Sequence, residues 1–133
     1  LLDSNGNPIN PAEYRAQFFT WTWLDIEEKD GDKYVIELLP TTYSFGVKYH
    51  GGWNQQNYVD ITENPDVVFQ TGAVKINFSG TVKYYSGNWY NYTDQVELLP
   101  GTYRFTLSDN SHRIELDIIV EKGKLTVWPW SEE

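Results

Sequence analysis

ELLPTTYSFGVKY, residues 37 to 49, returns as ELLPGTYRFTLSD, residues 97 to 109. Glu37 and Glu97 fix the offset between the copies at 60 residues. In the first copy Tyr43, Phe45, Val47 and Tyr49 alternate with Thr42, Ser44, Gly46 and Lys48. In the second, Tyr103, Phe105 and Leu107 alternate with Thr102, Arg104 and Thr106. A period of two is the signature of a strand with one face in a core, because successive side chains leave a strand on opposite sides. Pro40 and Pro100 lack a backbone donor, so each should end the strand running into the leucines and force a turn before the next. Two related copies of a β module are the consequence.

Other segments extend the pattern. Ile114, Leu116, Ile118 and Val120 should face one way while Arg113, Glu115 and Asp117 face the other, and residues 121–124 read as a hairpin turn into Leu125 to Trp128. A hairpin between Thr81 and Thr93 with its tip at Ser86, Gly87 and Asn88 pairs Tyr85 with Trp89, Tyr84 with Tyr90 and Val82 with Tyr92. Helical spacing is confined to a turn between Pro11 and Phe18. Short strands separated by Gly, Pro, Asn and Asp imply an all-β, antiparallel sandwich. The repeat sets units at 1–71 and 72–133. No Ser/Gly- or Pro-rich linker parts them, so they should pack closely or share one sandwich.

Composition bounds the chemistry. The 133 residues suffice for one ordinary core or two small ones. Without cysteine there is no disulfide, thiolate metal site or reactive thiol. The absent methionine and a start in mid-pattern at Leu1 suggest a piece of a longer, multidomain polypeptide. No apolar run has the length of a membrane span. The formal charge is −9, with Lys and Arg scattered, which opposes binding to nucleic acid.

Asp3-Ser4-Asn5-Gly6-Asn7-Pro8, the Asp30-Gly31 turn and Glu37-Leu38-Leu39-Pro40-Thr41-Thr42-Tyr43 together resemble the layout of prealbumin-like surface modules. These include the B-type repeats of bacterial collagen adhesins and the carboxypeptidase regulatory-like domain. The resemblance covers most of the first copy; in the second it is chiefly Leu98 to Tyr103, without the Asp-Asn-Gly opening. It implies an Ig-like or prealbumin-like sandwich, an extracellular or cell-surface location, and a non-catalytic module that binds or spaces.

Aromatic residues make up 17% of the chain, including 6 Trp and 10 Tyr, more than a core of this size requires. Parity sorts them. Leu125 and Val127 make the natural core face of the last strand, which turns Trp128 and Trp130 toward solvent, about 7 Å apart. The hairpin places Tyr85, Trp89 and Asn91 on its outer face with Lys83. Trp53, between His50-Gly51-Gly52 and Asn54, Gln55 and Gln56, reads as a loop tip among amides. Trp21 and Trp23 share a face with Phe19, and parity leaves open which face that is. Exposed indoles rimmed by Asn54, Gln56 and similar amides suit a polysaccharide. The apolar C–H face of a pyranose packs on an aromatic ring, and its hydroxyls take hydrogen bonds at the rim. A structural role at sandwich ends, or in a spacer or adhesin repeat without a sugar ligand, is the competing reading.

Catalysis is disfavoured. His50 and His112 belong to no nucleophile or metal pattern, and carboxylates between Asp25 and Asp32 look like the approach to an Asp-Gly turn rather than a hydrolytic pair. Asp3, Asn5, Asp30 and Asp32 offer oxygen ligands for a structural calcium, though neither stretch matches an EF-hand loop. No other cofactor is implied. Asn77-Phe78-Ser79 and Asn91-Tyr92-Thr93 are glycosylation sequons, relevant only in a eukaryotic secretory protein.

Overall fold

The alternation at residues 42–49 and 101–108 produces the two longest central strands. The computed structural model describes residues 1–92 and 94–129, leaving Thr93 and residues 130–133 outside. After a 3-10 turn at Pro11–Glu13, capped by the Asn10 side chain, all regular structure among the described residues is β. The strands are β1 Arg15–Thr20, β2 Thr22–Asp25, β3 Lys29–Asp30, β4 Lys33–Tyr34, β5 Thr42–Tyr49, β6 Gly52–Asp60 and β7 Gly72–Ile76. They continue as β8 Thr81–Tyr85, β9 Trp89–Asn91, β10 Gln95–Leu98, β11 Gly101–Ser108, β12 Arg113–Val120 and β13 Leu125–Trp128.

Two four-stranded antiparallel sheets share one strand order. The first runs β2-β1-β5-β6 and the second β9-β8-β11-β12, so β5 and β11, which carry the repeated motif, occupy the same place. The sheet β10-β7-β13 forms the second layer of a β-sandwich over the later half, and β13 joins it parallel to β7. In the earlier half the corresponding layer shrinks to isolated bridges, including a parallel one between Leu2 and Gln70. Two clusters of buried residues result. One gathers Phe18, Phe45, Val47 and Phe69 with Leu99 as its only described member beyond residue 69. The other gathers Val74, Leu98, Phe105, Leu107 and Ile118. Burying Phe105, Leu107 and Leu98 completely stabilises the fold by about 1.5–3 kcal/mol for each side chain.

The halves are joined by specific contacts. The Glu97 carboxylate accepts hydrogen bonds from Ser4 N at 2.8 Å, Ser4 Oγ at 3.0 Å and the hydroxyl of the buried Thr71 at 2.7 Å. The Ser86 hydroxyl donates to the His50 carbonyl, bringing the β8–β9 turn against the β5–β6 turn.

Two sequence expectations fail here. Residues 36–39 form no strand, and Leu39 is 79% exposed where its counterpart Leu99 is 0% exposed. The second copy has β7 to pair with β10, whereas the first has no full strand in that position to receive it. Residues 121–124 do turn, through Lys124 N donating to Glu121 O at 3.2 Å, but they join no hairpin. Gly123 N instead donates to Thr71 O and Ala73 N to Lys124 O, which carries β13 across to β7 in the other sheet.

Candidate functional site

The outer face of the first sheet is built by register. Phe18 pairs with Leu24 and with Phe45, so these three share one face, where Phe18 and Phe45 are buried. Alternation then sends Gln17, Phe19, Trp23, Asp25, Gly46, Trp53 and Gln55 to the opposite face. Phe19 and Trp23, direct cross-strand partners, meet edge to face with centroids 5.4 Å apart at 69°. Trp23 in turn meets Trp53 at 5.0 Å and 82°, although their strands are separated by β1 and β5. Gly46 permits this. A β-carbon there would lie 2.2 Å from two carbons of the Trp53 ring, so that ring lies over the glycine.

Polar groups rim the three rings. Gln17 Nε2 donates to Asp25 Oδ1 at 2.7 Å, and Arg15 stands 3.6 Å from the same carboxylate. Trp53 Nε1 donates to Gln55 Oε1 at 2.8 Å, and Gln55 Nε2 to Asn57 Oδ1 at 2.9 Å. These bonds hold the amides in place and leave Gln17 Oε1 and Asn57 Nδ2 for a ligand. Trp21 closes the β1–β2 hairpin alone, 96% exposed and with φ 66. A bulky residue in the left-handed region costs on the order of 1–2 kcal/mol, and no described residue packs against its indole enough to offset that.

The outer face of the second sheet has a matching feature. Lys83 pairs with Asn91 and Tyr85 with Trp89, as the hairpin reading expected, and Tyr84 lies buried on the inner face. Tyr85 and Trp89, each 46% exposed, meet edge to face at 5.3 Å and 68°. Arg104, the partner of Tyr85 on β11, pairs with Asp117 at 3.3 Å.

Several expected site residues move elsewhere. Trp53 is not at a loop tip but in β6, opposite Lys48, because the turn is confined to His50 and Gly51. Asn54 and Gln56 therefore lie on the reverse face. Asn54 Nδ2 donates to the carbonyls of Trp53 and Pro100, and Gln56 Nε2 to that of Val68, so both brace the backbone. Gln55, Asn57 and Gln17 take the rim positions instead, and Phe19 joins the rings; strand parity counted from Trp53 would have found the first two. The parity assigned to β13 is reversed. Leu125 is 53% exposed, while Trp128 is partly buried against the second core, with its ring 6.5 Å from that of Phe78. The crossing to β7 sets that face, which the strand's own pattern cannot reveal. Trp130 lies outside the described residues.

Asp3 Oδ1 accepts from the backbone N–H groups of Asn5 and Asn7, so it caps its own turn. Asp30 and Asp32 are exposed around the β3–β4 turn, and among the described residues no group of three His, Asp or Glu converges on one point. His50 stacks on Tyr49 at 3.9 Å, and burial pushes its imidazole below the usual range. No described helix is long and apolar enough to cross a membrane. Comparison with protein-family models, curated proteins and solved structures gives no match, so the chemistry rests on the residues of the chain itself.

Proposed function

We propose that the chain is a non-catalytic carbohydrate-binding module of an extracellular bacterial protein, built from two tandem prealbumin-like units and binding a neutral plant-type polysaccharide. The observation that carries this reading is the outer face of β2-β1-β5-β6, where Phe19, Trp23 and Trp53 form an aromatic surface rimmed by Gln17, Gln55 and Asn57. A pyranose offers an apolar face for one ring and hydroxyls for the amides. The rings stand at 69° and 82° to one another, so they make no flat platform for a crystalline surface. They suit a single chain lying across them. A stacked ring contributes roughly 1–3 kcal/mol, so one such site binds with an affinity of about millimolar. Retardation in gels containing soluble β-glucan, xylan or mannan tests the reading. At least one polymer should slow the protein, and indole fluorescence should change with the same polymer; migration unaffected in every gel would refute it.

A spacer without a sugar ligand is the second reading, favoured by the braced junction of Glu97 with Ser4 and Thr71 and of Ser86 with His50. Such contacts stiffen a rod. They do not explain an indole exposed as fully as that of Trp21.

A further inference from the structure

We infer that the chain holds two equivalent sugar sites, one on each four-stranded sheet, and that its ligand is a polymer long enough to occupy both; this rests on the carbohydrate reading above. The aromatic pair of the first sheet recurs in the second. Phe19 on β1 faces Trp23 on β2, and Tyr85 on β8 faces Trp89 on β9, in the same places within the same strand order. Their geometries agree: 5.4 Å and 69° against 5.3 Å and 68°. Residue for residue, Asp25 and Asn91 follow as the next outward side chains, so each pair has a polar neighbour on its edge strand. The equivalence ends at the third ring. Trp53 crosses to Trp23, whereas on the second sheet the place beside Tyr85 belongs to Arg104, paired with Asp117. The first site is therefore the more apolar and the second the more polar.

The spacing fits one chain. A β-carbon built on Gly87 would lie 3.7 Å from Gly51 Cα, so the two turns touch. Trp53 is two residues from Gly51 and Trp89 two from Gly87. At 3.8 Å per residue, the Cα atoms of Trp53 and Trp89 are at most about 20 Å apart. A glycan of several residues bridges that distance. Two sites of about millimolar affinity gain strongly when the second contact becomes intramolecular, whereas a short sugar gains nothing.

The test uses the polymer that retards the full chain and the trisaccharide cut from it. Calorimetry with the trisaccharide should give two sites per chain, and Trp23→Ala or Trp89→Ala should each leave one. Each substitution should weaken polymer binding by about tenfold or more, while Trp23→Phe and Trp89→Phe, which keep a ring in the pair, recover most of it. Near-ultraviolet dichroism identifies any variant that fails to fold, and the phenylalanine variants then carry the test through partial losses of polymer binding. A single trisaccharide site in the wild type overturns the inference while leaving the carbohydrate reading intact. So does a polymer affinity untouched by changing Trp89. If no polymer binds the wild type, the carbohydrate reading itself fails, and the two-site inference with it.

Discussion

Trp23 on β2 and Trp53 on β6 meet ring to ring at 5.0 Å across two intervening strands. Side chains on strands so far apart touch only if they lie down along the sheet, and the bare Gly46 backbone supplies the space. Gly46→Val should lift the Trp53 ring. The expected outcome is a changed near-ultraviolet dichroism from the disrupted indole pair and a several-fold loss of glycan affinity. An unchanged indole spectrum would show that the ring does not depend on this glycine.

The repeated Leu-Leu-Pro motif is equivalent in sequence but unequal in burial. Leu99→Ala should cost about 2–5 kcal/mol, because it empties a fully enclosed site. Leu39→Ala, at a position 79% exposed, should change stability by less than about 0.5 kcal/mol. Denaturant titration of the two variants decides it, and equal losses would contradict the asymmetry.

The motif's tyrosine does keep its role in both copies. Tyr103 Oη donates to Leu99 O at 2.6 Å and Tyr43 Oη to Leu39 O at 3.1 Å, each closing the turn four residues back. That much follows from local spacing, as do the β5 and β11 alternation and the Tyr84–Tyr90 register, since each is specified within one strand or one tight hairpin. Trp128 was not legible for the opposite reason. Its face is set by β7, some fifty residues earlier in the chain, once β13 leaves the neighbourhood of β12. The sequence puts Trp53 at a loop tip because His50-Gly51-Gly52 reads as a longer turn than the two residues the chain uses. Of the amide rim, Gln55 and Asn57 follow from alternation along β6 once Trp53 is placed in a strand, whereas Gln17 joins them only through the pairing of β1 with β2 and β5.

Alkaline stability should follow from buried phenols. Burial pushes Tyr14, Tyr49 and Tyr103 up to about 12 from an ordinary value of 10.0. A raised folded value means that the native state keeps its protons while the unfolded chain loses them. Their contribution is thus intact below pH 10 and lost as pH rises from 10 toward 12. Melting temperature should fall through that window, and less steeply in Tyr103→Phe, although that variant starts lower for want of its hydrogen bond. A flat profile to pH 12 would contradict the burial of these hydroxyls.

Glu97 joins the two halves through three accepted hydrogen bonds. Glu97→Ala leaves the buried Thr71 hydroxyl without its partner and should cost about 1.5–3 kcal/mol. Thermal unfolding should also lose cooperativity as the halves part. A melting curve that matches the wild type would show that the carboxylate contributes nothing to the junction.

The proposed function meets its most direct test in affinity-gel retardation of the wild type, of a Trp23→Ala/Trp89→Ala double variant, and of Trp128→Phe. The wild type and Trp128→Phe should be slowed alike by one neutral polysaccharide, with less than about threefold change in affinity between low and physiological salt. The double variant, folded by its dichroism spectrum, should migrate freely. Retardation that persists in the folded double variant, or that disappears only in Trp128→Phe, would contradict the assignment of sugar binding to the outer faces of the two sheets.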